Sequence, residues 1–181
     1  MIYRNIICLT AFLATLASFT TASAAPGNFA VVDIQMIMRS SLAAKSIRTQ
    51  IDSMRESFQA KISKEEEELR KMDKDLATQR SLISPEAFEK RRKEFKNKVT
   101  DIQKKVQERK IKLDRAFAAS INTLQEAVNG IIEKIADKKE LALVIPTSQI
   151  LYADKSMDIT KEVMKKLDKK LPKVKVTDSV K

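Results

Sequence analysis

Residues 81–86 read SLISPE and form the one short break in a helical pattern that extends from residue 43 to residue 137. Ser84 belongs to the residue types that cap helix N-termini, and Pro85 suits the first helical position. The carboxylate of Glu86 is favourable in the first turn because it complements the helix dipole. The break therefore predicts that one long helix ends near residue 80 and that a second begins at Pro85.

The first helix is predicted over residues 43–80 by a narrow apolar stripe. Its members recur at steps of three and four residues, which places them on one helical face. They are Ile47, Ile51, Met54, Phe58, Ile62, Leu69, Met72 and Leu76. The stripe has a charged gap at residues 65–68, which are four consecutive glutamates. We interpret them as a solvated face and not as a metal site, because four successive helical residues point in different directions.

The second helix is predicted over residues 85–137 by a longer stripe. The steps alternate between three and four residues over many heptads, which is typical of a coiled-coil seam. The stripe consists of Phe88, Phe95, Val99, Ile102, Val106, Leu113, Phe117, Ile121, Leu124, Val128, Ile131 and Ile135. A short loop between two such helices predicts antiparallel neighbours. Gly130 interrupts the second helix near its base and is predicted to be a hinge.

Short apolar segments flank this hairpin in the sequence. Residues 29–33 and 141–145 are predicted to be buried strands, and residues 150–152 are predicted to be a further, shorter strand. Asp158 is predicted to cap a last amphipathic helix, which Pro172 ends. The predicted fold class is therefore α+β and mostly α, with a small β-body and a long antiparallel helical hairpin.

The chain thus divides into a body, an arm and a tail. The body comprises residues 25–42 and 139–172, the arm residues 43–138, and the basic tail, which has no recognisable structure, residues 173–181. A body of about 60 residues is only marginally stable alone, so self-association would usefully bury more surface and cover strand edges. The residues predicted to join subunits are Phe29, Val31, Val32, Ile34, Leu141, Leu143, Val144, Ile145, Ile150 and Tyr152. The residues themselves leave the number of subunits open.

Residues 1–24 have the pattern of a secretory signal peptide. Arg4 gives a positive start, residues 6–19 are almost wholly apolar, and residues 22–24 match a small-x-small cleavage site. The apolar run of about 14 residues is shorter than the roughly 20 that a membrane-spanning helix needs. The one cysteine of the chain, Cys8, lies in this segment, so the exported chain is expected to have no disulfide.

The sequence lacks the residue types that most catalytic and metal sites need. It has no histidine, and its 2 glycines cannot build a glycine-rich phosphate loop. Serine and lysine are common but have no spacing that is diagnostic of catalysis. We therefore predict no catalytic residue, no metal site, no cofactor and no enzymatic activity.

The net charge of +11 points to acidic partners. The densest basic run lies toward the predicted tip of the hairpin and consists of Lys90, Arg91, Arg92, Lys93, Lys96 and Lys98. One interpretation is a solvated helix face with pairs such as Glu89 with Lys93. Another is a collective positive field that attracts acidic chains. Nucleic acid fits less well, since the chain is predicted to be exported and no aromatic residues interleave with the run for base stacking.

Three apolar residues near the tip, Met72, Leu82 and Ile83, are candidates for exposed contact. Methionine adapts its shape easily, which suits variable partners. Together with the basic run, these residues are the predicted partner-binding set.

Both ends of the chain carry short motifs in a characteristic order. Residues 29–38 read FAVVDIQMIM, with Ser40 soon after, and residues 141–160 contain LVIP, ILY and DIT. A predicted signal peptide precedes the first motif, and a long charged hairpin separates the two. In these motifs and their order, the sequence resembles the Skp/OmpH family of periplasmic chaperones over essentially the whole exported chain.

This resemblance implies a homotrimer in which the strands of three subunits form a central β-body and three hairpins surround a cavity. It implies an ATP-independent periplasmic holdase that binds unfolded outer-membrane β-barrel proteins and delivers them for outer-membrane assembly. Electrostatic capture and many weak apolar contacts would hold such clients. An anionic lipid surface is a further candidate partner, whereas nucleic acid is not expected as a physiological one.

Two other classes of function stay open. A coiled-coil spacer of the cell envelope would need no exposed apolar surface and would bind no unfolded protein. A module that binds nucleic acid or anionic lipid would show a steep dependence of its affinity on salt, with or without unfolded protein present.

Overall fold

A computed structural model of the chain describes residues 28–177. The predicted signal peptide, with Cys8 and the cleavage site, lies outside the described residues, and so do residues 178–181. The elements are β1 (Asn28–Val32), α1 (Ile34–Ser40), α2 (Leu42–Gln79), α3 (Pro85–Lys139), β2 (Leu141–Pro146) and α4 (Thr160–Lys170), with short 3₁₀ turns at Thr147–Gln149 and Lys155–Met157. The predicted α+β, mostly helical fold class is confirmed.

Helices α2 and α3 form the predicted antiparallel hairpin. They contain 38 and 55 residues, which at 1.5 Å per residue makes them about 57 Å and about 83 Å long. The hydroxyl of Ser84 accepts a hydrogen bond from the backbone N–H of Ala87 at 3.3 Å, so Ser84 caps α3 as predicted. The pKa of Glu86 in the first turn is lowered by its own backbone N–H and by the hydroxyl of Ser84.

Strands β1 and β2 pair in parallel, and α1 with the whole hairpin supplies the crossover that a parallel pair requires. Phe29 aligns with Leu143, and Val31 aligns with Ile145. These two pairs lie on one face of the sheet. The opposite face packs on the core through residues such as Val32. Strand β2 forms where a strand was predicted, and within the single subunit it is half-exposed.

The predicted strand at residues 150–152 is also wrong. The described residues contain two strands, and this segment follows a 3₁₀ turn at Thr147–Gln149 without forming a third. A strand needs a neighbour that completes its backbone hydrogen bonds, and residues 150–152 pair with neither β1 nor β2. Leu151 and Tyr152 are therefore exposed on an irregular segment.

The core lies where α1, α4 and the base of the hairpin meet the sheet. Its fully buried side chains include Val32, Ile37, Ile47, Leu124, Val128, Ile135, Val163 and Leu167. The carboxylate of Asp168 in α4 accepts the backbone N–H of Leu42 at 2.8 Å, which fixes the start of α2. Asp158 accepts the N–H of Thr160 at 2.8 Å, but the capping position belongs to Ile159, so the predicted cap is displaced by one residue.

Residues 173–177 of the predicted basic tail form no helix or strand, but they pack against the subunit. The chain passes Pro172 and lies along the first turns of α2, where Val174 is buried in the core cluster. The sequence carried a signal for this in the alternation of Val174 and Val176 with lysines, which is a short amphipathic pattern for an extended chain.

Candidate functional site

The base of the arm has an apolar seam whose side chains are excluded from water. Ile47 and Ile51 of α2 and Leu124 and Val128 of α3 are all buried there. Phe117 was predicted to be in this seam, and that prediction is wrong, because its side chain is 45% exposed.

Small residues take the place of Phe117. Ala116 and Ser120 are buried at that level, and the hydroxyl of Ser120 donates a hydrogen bond to the carbonyl of Ala116 at 2.7 Å. Small side chains in the interface allow two helices to approach closely, and this leaves no room for the phenyl ring.

The middle of the arm contains a charged layer, formed by Glu65, Glu68, Lys98, Lys105 and Arg109. The ammonium group of Lys105 lies 2.8 Å from Glu65, and that of Lys98 lies 2.6 Å from Glu68, so both pairs join α2 to α3. The guanidinium carbon of Arg109 lies 5.8 Å from the centre of the Phe58 ring. Charged groups thus connect the two helices where the apolar stripe of α2 is interrupted.

The predicted charged gap at residues 65–68 is therefore confirmed, but the interpretation of all four as solvated is wrong. Glu65 is half-buried and lies in phase with Phe58 and Ile62, so it points toward α3. Glu67 faces outward and pairs with Lys71 of the same helix at 3.0 Å. The phase of Glu65 within the stripe, opposite lysines on the second helix, was the sequence signal for this layer.

In each ion pair of the layer, one charged group favours the ionised form of its partner. A hydrogen bond from Lys98 and the charge of Lys98 lower the pKa of Glu68. A hydrogen bond to Glu65 is the main cause that raises the pKa of Lys105. All four partners are at least partly solvated, so each pair contributes modestly to stability and responds to salt.

The predicted basic run covers the solvent-facing surface of α3 near the tip. Arg92 pairs with Glu89 at 2.9 Å, so the expected partner of Glu89, Lys93, is not the observed one. Arg91 donates a hydrogen bond to the side-chain carbonyl of Gln79 across the hairpin. Lys90, Lys93 and Lys96 are exposed, and the structure shows no ion pair for them with another described residue.

The hairpin brings the apolar tip residues close to this basic run. Leu82 in the loop is 78% exposed, whereas Met72 and Ile83 are half-buried. The pairing of Lys98 with Glu68 sets the level at which the basic run begins, so residues 72, 82–83 and 90–96 all lie beyond it toward the tip. The structure thus places the predicted partner-binding set at one end of the arm.

The residues predicted to join subunits fall into three groups. Val31 and Val32 are buried within the subunit. The half-buried group consists of Ile34, Leu141, Val144, Ile145 and Ile150. Phe29, Leu143 and Tyr152 are exposed, and Phe29 and Leu143 are neighbours in register on one face of the sheet. Leu151, absent from the predicted set, is fully exposed. Large exposed apolar side chains that lie side by side, as Phe29 and Leu143 do, are typical of protein interaction surfaces.

Across residues 28–177, no helix is long and apolar enough to cross a membrane. The same residues hold no group of three or more acidic, histidine or cysteine side chains placed to bind a metal ion.

Comparison with known proteins gives one consistent picture. The family model described as outer membrane protein (OmpH-like) matches residues 28–167. An uncharacterised protein of Aquifex aeolicus (strain VF5) is 32% identical over 142 residues, which cover 78% of this chain and 86% of that protein. The crystal structure of a candidate outer membrane chaperone (OmpH-like) from Caulobacter crescentus CB15 superposes with a TM-score of 0.78 at 18% identity, covering 83% of this chain and 89% of that one.

Proposed function

This chain belongs to the OmpH-like family, and from that premise we propose that it is an ATP-independent holdase chaperone of the periplasm. It binds unfolded outer-membrane β-barrel proteins, keeps them from aggregating and delivers them for outer-membrane assembly. The observation that carries the proposal is the far end of the arm, where exposed cations of α3 and an exposed leucine of the loop lie on the same side of the Glu68–Lys98 pair. This surface suits an extended, unfolded partner better than a small ligand.

The mechanism that we propose has two parts. The positive field of the basic run raises the local concentration of acidic client segments and speeds encounter. Apolar groups such as Leu82 and Met72 then make weak contacts with the client, which become significant through their number. No nucleotide is needed, because capture and release depend on these reversible contacts alone.

We also propose that the chain assembles as a homotrimer through the exposed side chains of Phe29, Leu143, Leu151 and Tyr152, so that contacts between subunits cover these side chains and the outer edge of β2. Changing Leu143 and Leu151 to aspartate is expected to lower the particle mass measured by light scattering, while the helical circular dichroism is retained.

The matched control for assembly is Val32→Asp. Val32 is buried within the subunit, so this change places a charge in the core and is expected to unfold the chain itself. If the double variant of Leu143 and Leu151 keeps the particle mass of the wild type, these exposed side chains are not part of the assembly interface.

The function is tested by diluting a urea-unfolded outer-membrane barrel protein into the chain without residues 1–24 and without ATP. We expect the solution to stay clear by turbidity, and salt to weaken capture only in part, since apolar contacts persist when charges are screened. Reversing the charge of Lys90, Lys93 and Lys96 should slow capture. The same reversal at Lys161, Lys165 and Lys169 on α4 is the control.

Three results would contradict this proposal in different ways. Aggregation at the rate of the unassisted client, with the added protein folded, would favour an envelope spacer. Complete loss of binding at moderate salt, together with tight binding to polyanions when no client is present, would favour a polyanion-binding module. Equal effects of the two charge reversals would show that the basic run has no special part in capture.

A further inference from the structure

The segment at residues 173–177, which we name the strap, runs along the first turns of α2. Between the strap and α2 lies an open cleft of about 670 Å³, with Lys173, Val174 and Lys175 on one wall and Leu42, Lys45, Ser46, Thr49 and Gln50 on the other. The strap has no helical or strand structure, so its contacts with α2 take the place of a regular hydrogen-bond ladder.

The side chain of Gln50 binds the backbone of the strap. The side-chain amide nitrogen donates to the carbonyl of Val174 at 2.7 Å, and the amide oxygen accepts the N–H of Val176 at 3.1 Å. The same nitrogen lies 3.1 Å from the carbonyl of Ser46 and 3.0 Å from its hydroxyl, contacts that orient the amide. One side chain thus satisfies a carbonyl and an N–H two residues apart, which any extended chain presents.

The side chains of the strap alternate. Val174 is buried and Val176 half-buried, while Lys175 between them is exposed. Recognition of an extended chain through main-chain hydrogen bonds and pockets for alternate side chains is a recurrent mode of peptide binding. Strands of outer-membrane barrels have the same alternation of apolar and polar residues.

We propose that the surface of α2 around Gln50, which the strap covers, is a binding site for extended apolar–polar–apolar segments of unfolded proteins, and that the strap is its built-in competitor. The inference rests on the holdase function proposed above and names a site for the client at the base of the arm. A tethered strap has a high effective concentration, so it excludes weak ligands, whereas a long client held at several points displaces it.

Hydrogen exchange of the strap tests this in the wild-type chain without residues 1–24. The fragment that contains Val176 is followed by mass spectrometry, alone and with a saturating urea-unfolded barrel protein. We expect client loading to speed exchange of the Val176 amide by on the order of tenfold, since displacement removes its hydrogen bond to Gln50. Light scattering in the same samples reports whether the client is bound.

The outcomes separate the two proposals. A bound client with unchanged exchange at Val176 would overturn the competitor site and leave the holdase intact. No bound client would overturn the holdase, and the inference would fall with it.

A second measurement uses a fluorescent peptide of the strap sequence, Lys-Val-Lys-Val-Thr, and a reordered control, Lys-Lys-Val-Val-Thr. The double substitution Val174→Ser and Val176→Ser removes the apolar contacts that hold the strap on the subunit. We expect the alternating peptide to bind this variant several-fold more tightly than it binds the wild type. Adding Gln50→Leu should abolish that gain, and the reordered peptide should show none. Equal binding to wild type and to the strap variant, with helical circular dichroism intact, would overturn the site.

Discussion

The two ends of the same helical hairpin are built differently. The basal part, residues 42–62 of α2 and 110–139 of α3, contains fully buried side chains on both helices. In the distal part, residues 69–79 and 85–97, no residue is fully buried. The charged layer around Glu65 and Lys105 separates the two.

This difference indicates a division of labour along the arm. Burial of apolar surface contributes about 25 cal/mol per Å², so the basal part carries most of the stability of the hairpin. The distal part has helical hydrogen bonds but little burial, and such regions open locally at low free-energy cost. A mobile distal part on a fixed base suits the capture of clients that have no single shape.

The largest expected effect on the free energy of unfolding comes from truncating a buried side chain in the basal seam. Leu124 is 0% exposed, and Leu124→Ala should lower the free energy of unfolding by about 2–5 kcal/mol, because it removes buried methyl groups and leaves a cavity. The matched change Leu82→Ala at the exposed tip should alter it by less than about 0.5 kcal/mol. Urea unfolding followed by circular dichroism measures both, and equal shifts would abolish the distinction between base and tip.

A smaller effect is expected at Gly130. Helix α3 continues through this residue, and an added Cβ atom would meet nothing within 4 Å. Gly130→Ala should therefore raise the free energy of unfolding by about 0.5–1 kcal/mol through helix propensity. The predicted hinge is tested by the same variant: reduced client capture despite the higher stability would support a hinge, and unchanged capture would count against it.

The smallest effect concerns the charged layer and its dependence on pH. The pKa of Glu68 is lowered, so its contribution is present above the ordinary value of 4.5 and is lost as the pH falls through the lowered pKa. The pKa of Lys105 is raised, so its contribution is present below the ordinary value of 10.5 and is lost as the pH rises through the raised pKa. The layer should be strongest between these limits and weaker in about 1 M salt.

Spin labels measure this directly, because the chain without residues 1–24 has no cysteine. Labels on cysteines that replace the exposed Ala77 and Ala87 span the distal part, and labels at Thr49 and Ala119 span the base. Acid or salt should broaden the distal distance distribution and leave the basal one sharp. Equal broadening of both distributions would show that the layer does not divide the arm.

The sequence was sufficient for the long helices because their signals are local. Ser84 and Pro85 mark the start of α3, and the three-four stripe defines the face that each helix buries. The prediction failed at Phe117, where the stripe alone could not show how closely the helices approach and that Ala116 would fill the interface.

The remaining errors involve partners distant in the chain. A strand at residues 150–152 depends on pairing with a strand from elsewhere in the chain, and the segment does not join the β1–β2 sheet. The strap depends on Gln50, which is 124 residues before Val174, so no local pattern pairs them. Glu65 was an intermediate case, since its phase in the stripe and the lysines of the second helix were visible, but the stripe did not show which lysine pairs with it.

Hydrogen exchange along the hairpin, with and without an unfolded barrel protein, tests the central claim most directly. In the free protein we expect slow exchange near Leu124 and a marked increase beyond the charged layer. Client binding should slow exchange most around residues 82–83 and 90–96. Uniform protection along the free arm, or a bound client that leaves these distal residues unchanged, would contradict the account of a fixed base with a client-binding tip.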